Sequence, residues 1–216
     1  MPDQNLILNV RNLTKRFPGV VALNNVQLKL HEGEFLSLIG ENGAGKSTLM
    51  KILAGVQLQD EGTVEVSGQT VHMDNVKTSQ AHGVALIHQE LNLSENLSIA
   101  ANIFLGREPT TAGFLNKRVI HQEASRFLGM VGLDIDPKTL AGDLSIGQQQ
   151  LVEIAKALSI DARILIMDEP TSSLSAGESE RLFEVIADLR QRGVSIIYIS
   201  HHLAEVKMLS DRVTIF

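Results

Sequence analysis

The run Gly40-Glu41-Asn42-Gly43-Ala44-Gly45-Lys46-Ser47 constrains this chain more than any other stretch. It fits Gly, four residues, Gly-Lys-Ser/Thr, the spacing of a loop that wraps phosphate. The apolar run Phe35–Ile39 leads in, and Leu49, Ile52, Leu53 and Val56 follow at i, i+3, i+4 and i+7. The context is therefore strand, glycine loop, helix. Glycines let the backbone curl until several N–H groups face one anion, and a helix N-terminus adds partial positive charge there. Lys46 is placed to reach the β- and γ-phosphates, and the Ser47 hydroxyl to ligate Mg²⁺. A chance glycine turn bearing a lysine needs neither the flanking strand nor the helix.

The rest of the chain must supply a sheet around that loop. With 216 residues there is room for one sizeable core and too little for two comfortable domains. Hydrophobic residues make up 44 % and aromatics only 4 %, so aliphatic packing has to dominate. The absence of cysteine excludes disulfides and thiolate chemistry. A net charge of −6 has the wrong sign for a chain whose main partner is nucleic acid. No apolar run approaches the ~18 residues of a membrane span, and the polar start Met1–Asn5 lacks a signal-peptide core. The expectation is a soluble, cytoplasmic chain whose membrane contact, if any, is peripheral.

Leu6–Leu13 and Val26–Leu30 read as strands, the second alternating strictly as in a half-exposed antiparallel sheet, with Phe17–Val20 as a turn between them. Thr63–Val66 reads as a further short strand. Gly83–Ile87, Ile164–Met167 and Val194–Ile199 are nearly continuous aliphatic runs, the pattern of buried parallel strands. From Leu91 to about Ile160 helical stripes take over. Ser98 is placed to cap one short helix, Ala124, Phe127, Leu128 and Val131 mark a second, and Leu151, Ile154, Ala155 and Leu158 a third. A final long helix runs through Leu182, Val185, Ile186 and Leu189. The chain stops on the apolar strand Val213–Phe216, which suggests a fragment of something longer.

Polar groups gather where buried strands end. Asp168 and Glu169 follow Ile164–Met167, His88-Gln89 follow Ile87, and Ser200-His201-His202 follow Ile199. In an open α/β sheet that edge lies over the ligand. Asp168 is placed to hold Mg²⁺, and Glu169 to polarise an attacking water. An imidazole at 201 or 202 could hold a γ-phosphate oxygen, and spacing does not choose between them. Ser145 and Gly147, in Leu144–Gln148 before a helix, could form a second anion site or an ordinary helix cap. The other histidines have no metal-ligand spacing.

Taken in order, Gly40–Ser47, Gln89, Leu144–Gln148, Ile164–Glu169, Ser172–Ser175 and His201 resemble the nucleotide-binding domain of ABC transporters over essentially the whole chain. Phe17–Leu23, Asn102–Gly106, Val152–Leu158 and Glu169–Leu174 are further similar to bacterial monosaccharide importers of the ribose, arabinose, xylose and galactose type, and to the N-terminal of their two tandem domains. The resemblance implies an α/β P-loop NTPase fold: a RecA-like parallel sheet core, an N-terminal antiparallel β subdomain and an inserted α-helical subdomain. It implies one domain over 1–216, with 1–90 plus 161–216 as the α/β core and 91–160 as the helical subdomain.

The resemblance also assigns roles. Nucleotide contacts fall to Phe17 (on adenine), Gly40, Asn42, Gly43, Gly45, Lys46, Ser47, Thr48 and Gln89. Ser145 and Gly147 contact a γ-phosphate bound to an opposing domain. The Mg²⁺ set is Ser47, Gln89 and Asp168. Glu169 is the catalytic base, His201 the switch histidine and Lys46 the phosphate cation. The implied cofactors are ATP and Mg²⁺. The implied partners are transmembrane permease subunits, a second ABC domain and, indirectly, a periplasmic sugar-binding protein, with no nucleic acid, at the cytoplasmic face of the inner membrane. Ile146 replaces a glycine of the wider superfamily, and Ser175 stands where aspartate is usual. The alternative is a non-transport ABC ATPase acting on nucleic acid or ribosomes. A GTPase is disfavoured, because Asn116-Lys117-Arg118-Val119 lacks the aspartate a guanine reader needs.

Overall fold

Alternation in Val26–Leu30 and continuous aliphatic runs further on mark two different sheets. The computed structural model describes residues 5–111 and 113–216. The chain divides into two units. The first takes in Met1–Leu86, Ala162–Glu169 and Ala187–Phe216, and the second Ile87–Asp161 and Pro170–Ile186.

In the first unit, β1 (Leu6–Phe17) and β2 (Val20–His31) form a long antiparallel hairpin about the Pro18-Gly19 turn. β4 (Glu61–Val66) pairs with the other edge of β1, and β5 (Gln69–Val71) with β4, giving the order β2-β1-β4-β5. Both hairpin strands run further than the alternating stretches suggest, because β-bulges absorb the irregular positions near Leu13. A second sheet has the order β11-β3-β10-β9-β6. Its members are β3 (Phe35–Ile39), β6 (Val84–Ile87), β9 (Ile164–Asp168), β10 (Ser195–Ile199) and β11 (Arg212–Ile215). β3 is parallel to β10 and β11, and β10 to β9. Continuous burial of β3, β9 and β10 accounts for their unbroken apolar sequence.

One core, including Leu8, Leu13, Leu30, Leu36, Leu38, Ile164, Ile166, Ile197 and Ile199, joins residues of both sheets. Each fully buried Leu or Ile contributes ~1.5–3 kcal/mol. Helix α1 (Lys46–Leu53) adds Leu49, Met50, Ile52 and Leu53 to it and ends at Gly55, φ +70°. Helix α2 (Val76–Ala81), capped by Asn75 onto the Thr78 N–H, is too short for periodicity to reveal.

The second unit is mainly helical. α3 (Ile99–Phe104) is capped by Ser98, whose hydroxyl accepts from Ala101 N. A hairpin of two-residue strands, β7 (Thr110–Thr111) and β8 (Phe114–Leu115), stands where the sequence reads only as loop. α4 (Lys117–Met130) and α5 (Ile146–Leu158) pack with α3 and with each other. Phe104 and Phe127 meet at 6.4 Å between ring centroids. α6 spans Ala176–Gln191, and α7 (Leu203–Leu209), again short, belongs to the first unit.

Candidate functional site

Strand register brings together the first group of candidate residues. Ile199 stands opposite Leu38 on one side and Asp168 on the other. The residues just beyond these positions are Gly40, Glu169 and His201. Three connections therefore leave the parallel sheet at one edge, as the general rule for ligand crevices requires.

The glycine loop opens α1. Gly45 is its N-cap at φ +97°, and a Cβ there would lie 2.4 Å from the Ala22 carbonyl oxygen, so conformation and space both demand glycine. No side chain caps the helix and its first turn carries no acid, which leaves its N-terminal N–H groups and dipole for an anion. Lys46 Nζ donates to the carbonyls of Gly40 (2.8 Å) and Glu41 (2.9 Å). Asn42, Gly43 and Ser47 are exposed, and Thr48 is half-buried one residue further into the helix.

Asp168 ends β9, half-buried. Glu169 follows with φ +48°, uncommon for a residue with a Cβ, and its N–H donates to the Ile199 carbonyl at 2.9 Å. Such a conformation costs ~1–3 kcal/mol and is held only where the surroundings fix it. Here the bond to β10 does so. Glu169 Oε1 lies 3.2 Å from His201 Nδ1. His202 instead lies alongside His201, ring centroids 4.2 Å apart. The loop bearing both is anchored below: Tyr198 OH (2.7 Å) and Ser200 Oγ (2.9 Å) donate to Glu205 Oε2, and His202 N donates to Ser200 Oγ at 3.0 Å. Phe17, at the end of β1, is 38 % exposed, with Lys15 Nζ 5.6 Å from its ring centre.

A separate group of candidate residues lies in the helical unit. Ser145 is the N-cap of α5, forming a capping box with Gln148. Its hydroxyl donates to Glu178 Oε1 at 3.0 Å, and Gly147 N donates to the same oxygen at 3.1 Å. Glu178 Oε2 accepts from Ser175 N (3.0 Å) and Ser175 Oγ (2.8 Å). These donors, Ser175 first and then Ser145 and Gly147, draw the Glu178 carboxyl down from 4.5 to about 2. Gln89, exposed two residues past β6, also belongs to this unit.

A family model described as ABC transporter matches residues 23–172. The chain belongs to the ABC transporter family. It is 51 % identical over 214 residues to a protein of Burkholderia ambifaria named for ribose/galactose/methyl galactoside import ATP-binding, covering 99 % of this chain and 41 % of that one. The chain thus spans about two fifths of that relative. Among solved structures, a nucleotide-free ATP-binding cassette from an ABC transporter is similar at TM-score 0.87 and 25 % identity, covering 98 % of this chain and 87 % of that one. A dimeric cassette bound to ADP and phosphate is similar at TM-score 0.80 and 26 % identity, covering 97 % and 94 %.

For an ABC cassette, the observed placement is informative. Gly40–Ser47, Asp168, Glu169 and His201 meet at one sheet edge, whereas Ser145 and Gly147 stand together in the other unit. Sequence reasoning passed over Glu178. Its signal was present as Ser175-x-x-Glu178, a capping-box spacing. Among the described residues no group of three or more His, Cys, Asp or Glu could hold a metal by itself. Ser47 and Asp168 are hard oxygen donors. They suit Mg²⁺, which takes one or two protein oxygens and completes its shell with water and substrate phosphate.

Proposed function

We propose that this cassette binds and hydrolyses ATP and powers import of a monosaccharide by a membrane transporter. The observation that carries the reading is the convergence of the glycine loop, Asp168, Glu169 and His201 on one end of a parallel sheet. The import name of a relative at 51 % identity supports the sugar.

In this reading the loop amides and Lys46 bind the β- and γ-phosphates, with Lys46 exchanging its two carbonyl partners for phosphate oxygens. Asn42 and Thr48 complete the cradle, and the Phe17 ring packs on adenine. Ser47 and Asp168 hold Mg²⁺, with Gln89 assigned to the same ion and its water by resemblance. Bound there, Mg²⁺ neutralises charge developing on the phosphates. Glu169 accepts a proton from the attacking water. His201 Nδ1 keeps the carboxylate in line, while its other nitrogen serves the γ-phosphate. Ser145 and Gly147 serve the nucleotide of a second cassette.

The further partners are permease subunits and, through them, a periplasmic sugar-binding protein, which puts the chain at the cytoplasmic face of the inner membrane. No helix among the described residues is long and apolar enough to cross a membrane. The net charge of −6 weighs against an ATPase acting on nucleic acid or ribosomes.

The test is Glu169→Gln. Loss of a general base costs ~10²–10⁴ in rate, so ATP turnover should fall by that factor while ATP binding persists. Unchanged turnover would remove Glu169 as the base.

A further inference from the structure

Ser145 and Gly147 aim a hydroxyl proton and a backbone N–H at one point, and that point is occupied by Glu178 Oε1, at 3.0 and 3.1 Å. A helix cap explains only the other oxygen. Ser175 N and Oγ donate to Oε2, and Glu178 N donates back to Ser175 Oγ at 3.4 Å. The start of α5 does not need Glu178, because Ser145 and Gln148 already close their own capping box. Nor does backbone conformation require glycine at 147, which is not among the positive-φ residues. A Cβ there would stand 2.6 Å from Glu178 Oε1 and 2.7 Å from its Cγ. What this glycine provides is room for an anion close to its N–H.

We propose that Glu178 is the resident anion of this second phosphate site: it keeps Ser145 and Gly147 occupied in the nucleotide-free chain, and an arriving γ-phosphate must displace it, so that Glu178 sets the ATP concentration at which two cassettes pair. The proposal rests on the reading that Ser145 and Gly147 receive a second cassette's phosphate. Carboxylate and phosphate need the same two donors and repel each other, so they cannot share them. Protonation offers no release near neutral pH, because the Glu178 carboxyl is held down at about 2. Release comes by competition. Glu178 is only half-buried, so a rotation of its side chain frees both donors.

The experiment uses this chain in a Glu169→Gln background, where hydrolysis is blocked. MgATP-driven pairing is followed by light scattering, and MgATP binding by calorimetry. Glu178→Gln keeps the size of the side chain and an oxygen for Ser175 but removes the charge. The ATP midpoint of pairing should fall about fivefold, the difference between a charged and a neutral set of hydrogen bonds. Ser175→Ala, which loosens only Oε2, should shift it the same way by less, and it decides the matter if Glu178→Gln does not fold. A midpoint unchanged or raised in folded variants overturns the proposal and leaves Glu178 a helix cap. Failure of the parent chain to bind MgATP overturns the functional reading as well, so the two failures are told apart.

Discussion

The starts of α1 and α5 are chemically alike and electrostatically opposite. Each pairs glycine with serine in its first turn or just before it. At α1 the helix has no capping side chain and no acid, and the nearby charge is a cation, Lys46, held on two backbone carbonyls. At α5 a capping box is closed and a carboxylate occupies the Ser145 hydroxyl and the Gly147 N–H. The first is an open receptor whose cation rests on neutral partners. The second is a filled one. A site that must capture nucleotide from solution gains from the first arrangement. A site that must engage only a phosphate already bound elsewhere can tolerate the second.

Exchanging losses between the two sites tests this contrast most severely. Ser145→Ala should leave ATP affinity unchanged and reduce turnover by ~10²–10³, the cost of losing one preorganised donor to a reacting phosphate. Lys46→Ala should do the reverse at the binding step and weaken ATP about 10- to 100-fold, as expected for lost charge-assisted hydrogen bonds. Calorimetry with steady-state kinetics on both variants separates these outcomes. Equal loss of affinity in the two would erase the distinction.

A smaller effect concerns acid. The Glu178 carboxyl is depressed from 4.5 to about 2 in the folded chain, so between those values the unfolded chain binds more protons. The stabilisation from Glu178 is complete above pH 4.5 and lost as pH falls towards 2. Thermal melts of the parent and Glu178→Gln should differ most near neutrality and converge in acid. A constant difference would mean that the Glu178 cluster does not hold a charge.

The parallel strands were legible because burial on both faces leaves a continuous aliphatic record, as in Ile164–Met167. The ends of those strands then located Asp168, Glu169 and the pair His201-His202. Bulges hid the full length of β1, α2 and α7 each run less than two helical turns, and β7 and β8 are two residues each. Spacing alone left His201 and His202 open. In the fold it is His201 that reaches Glu169, and His202 lies beside it. Glu178 was half legible. Ser175-x-x-Glu178 announces a cap, but the contact of its second oxygen with Ser145 and Gly147 is tertiary and leaves no local trace.

In the proposed function this chain carries half of each composite site, a receptor for its own nucleotide and a donor pair for another. Specific ATPase activity measured across a hundredfold dilution of the chain tests it most directly. Groups supplied in trans are worth ~10³–10⁵ in rate in related phosphate-loop enzymes. Activity per chain should rise with chain concentration and be lost on dilution. Activity per chain that stays high and constant throughout the range would contradict it.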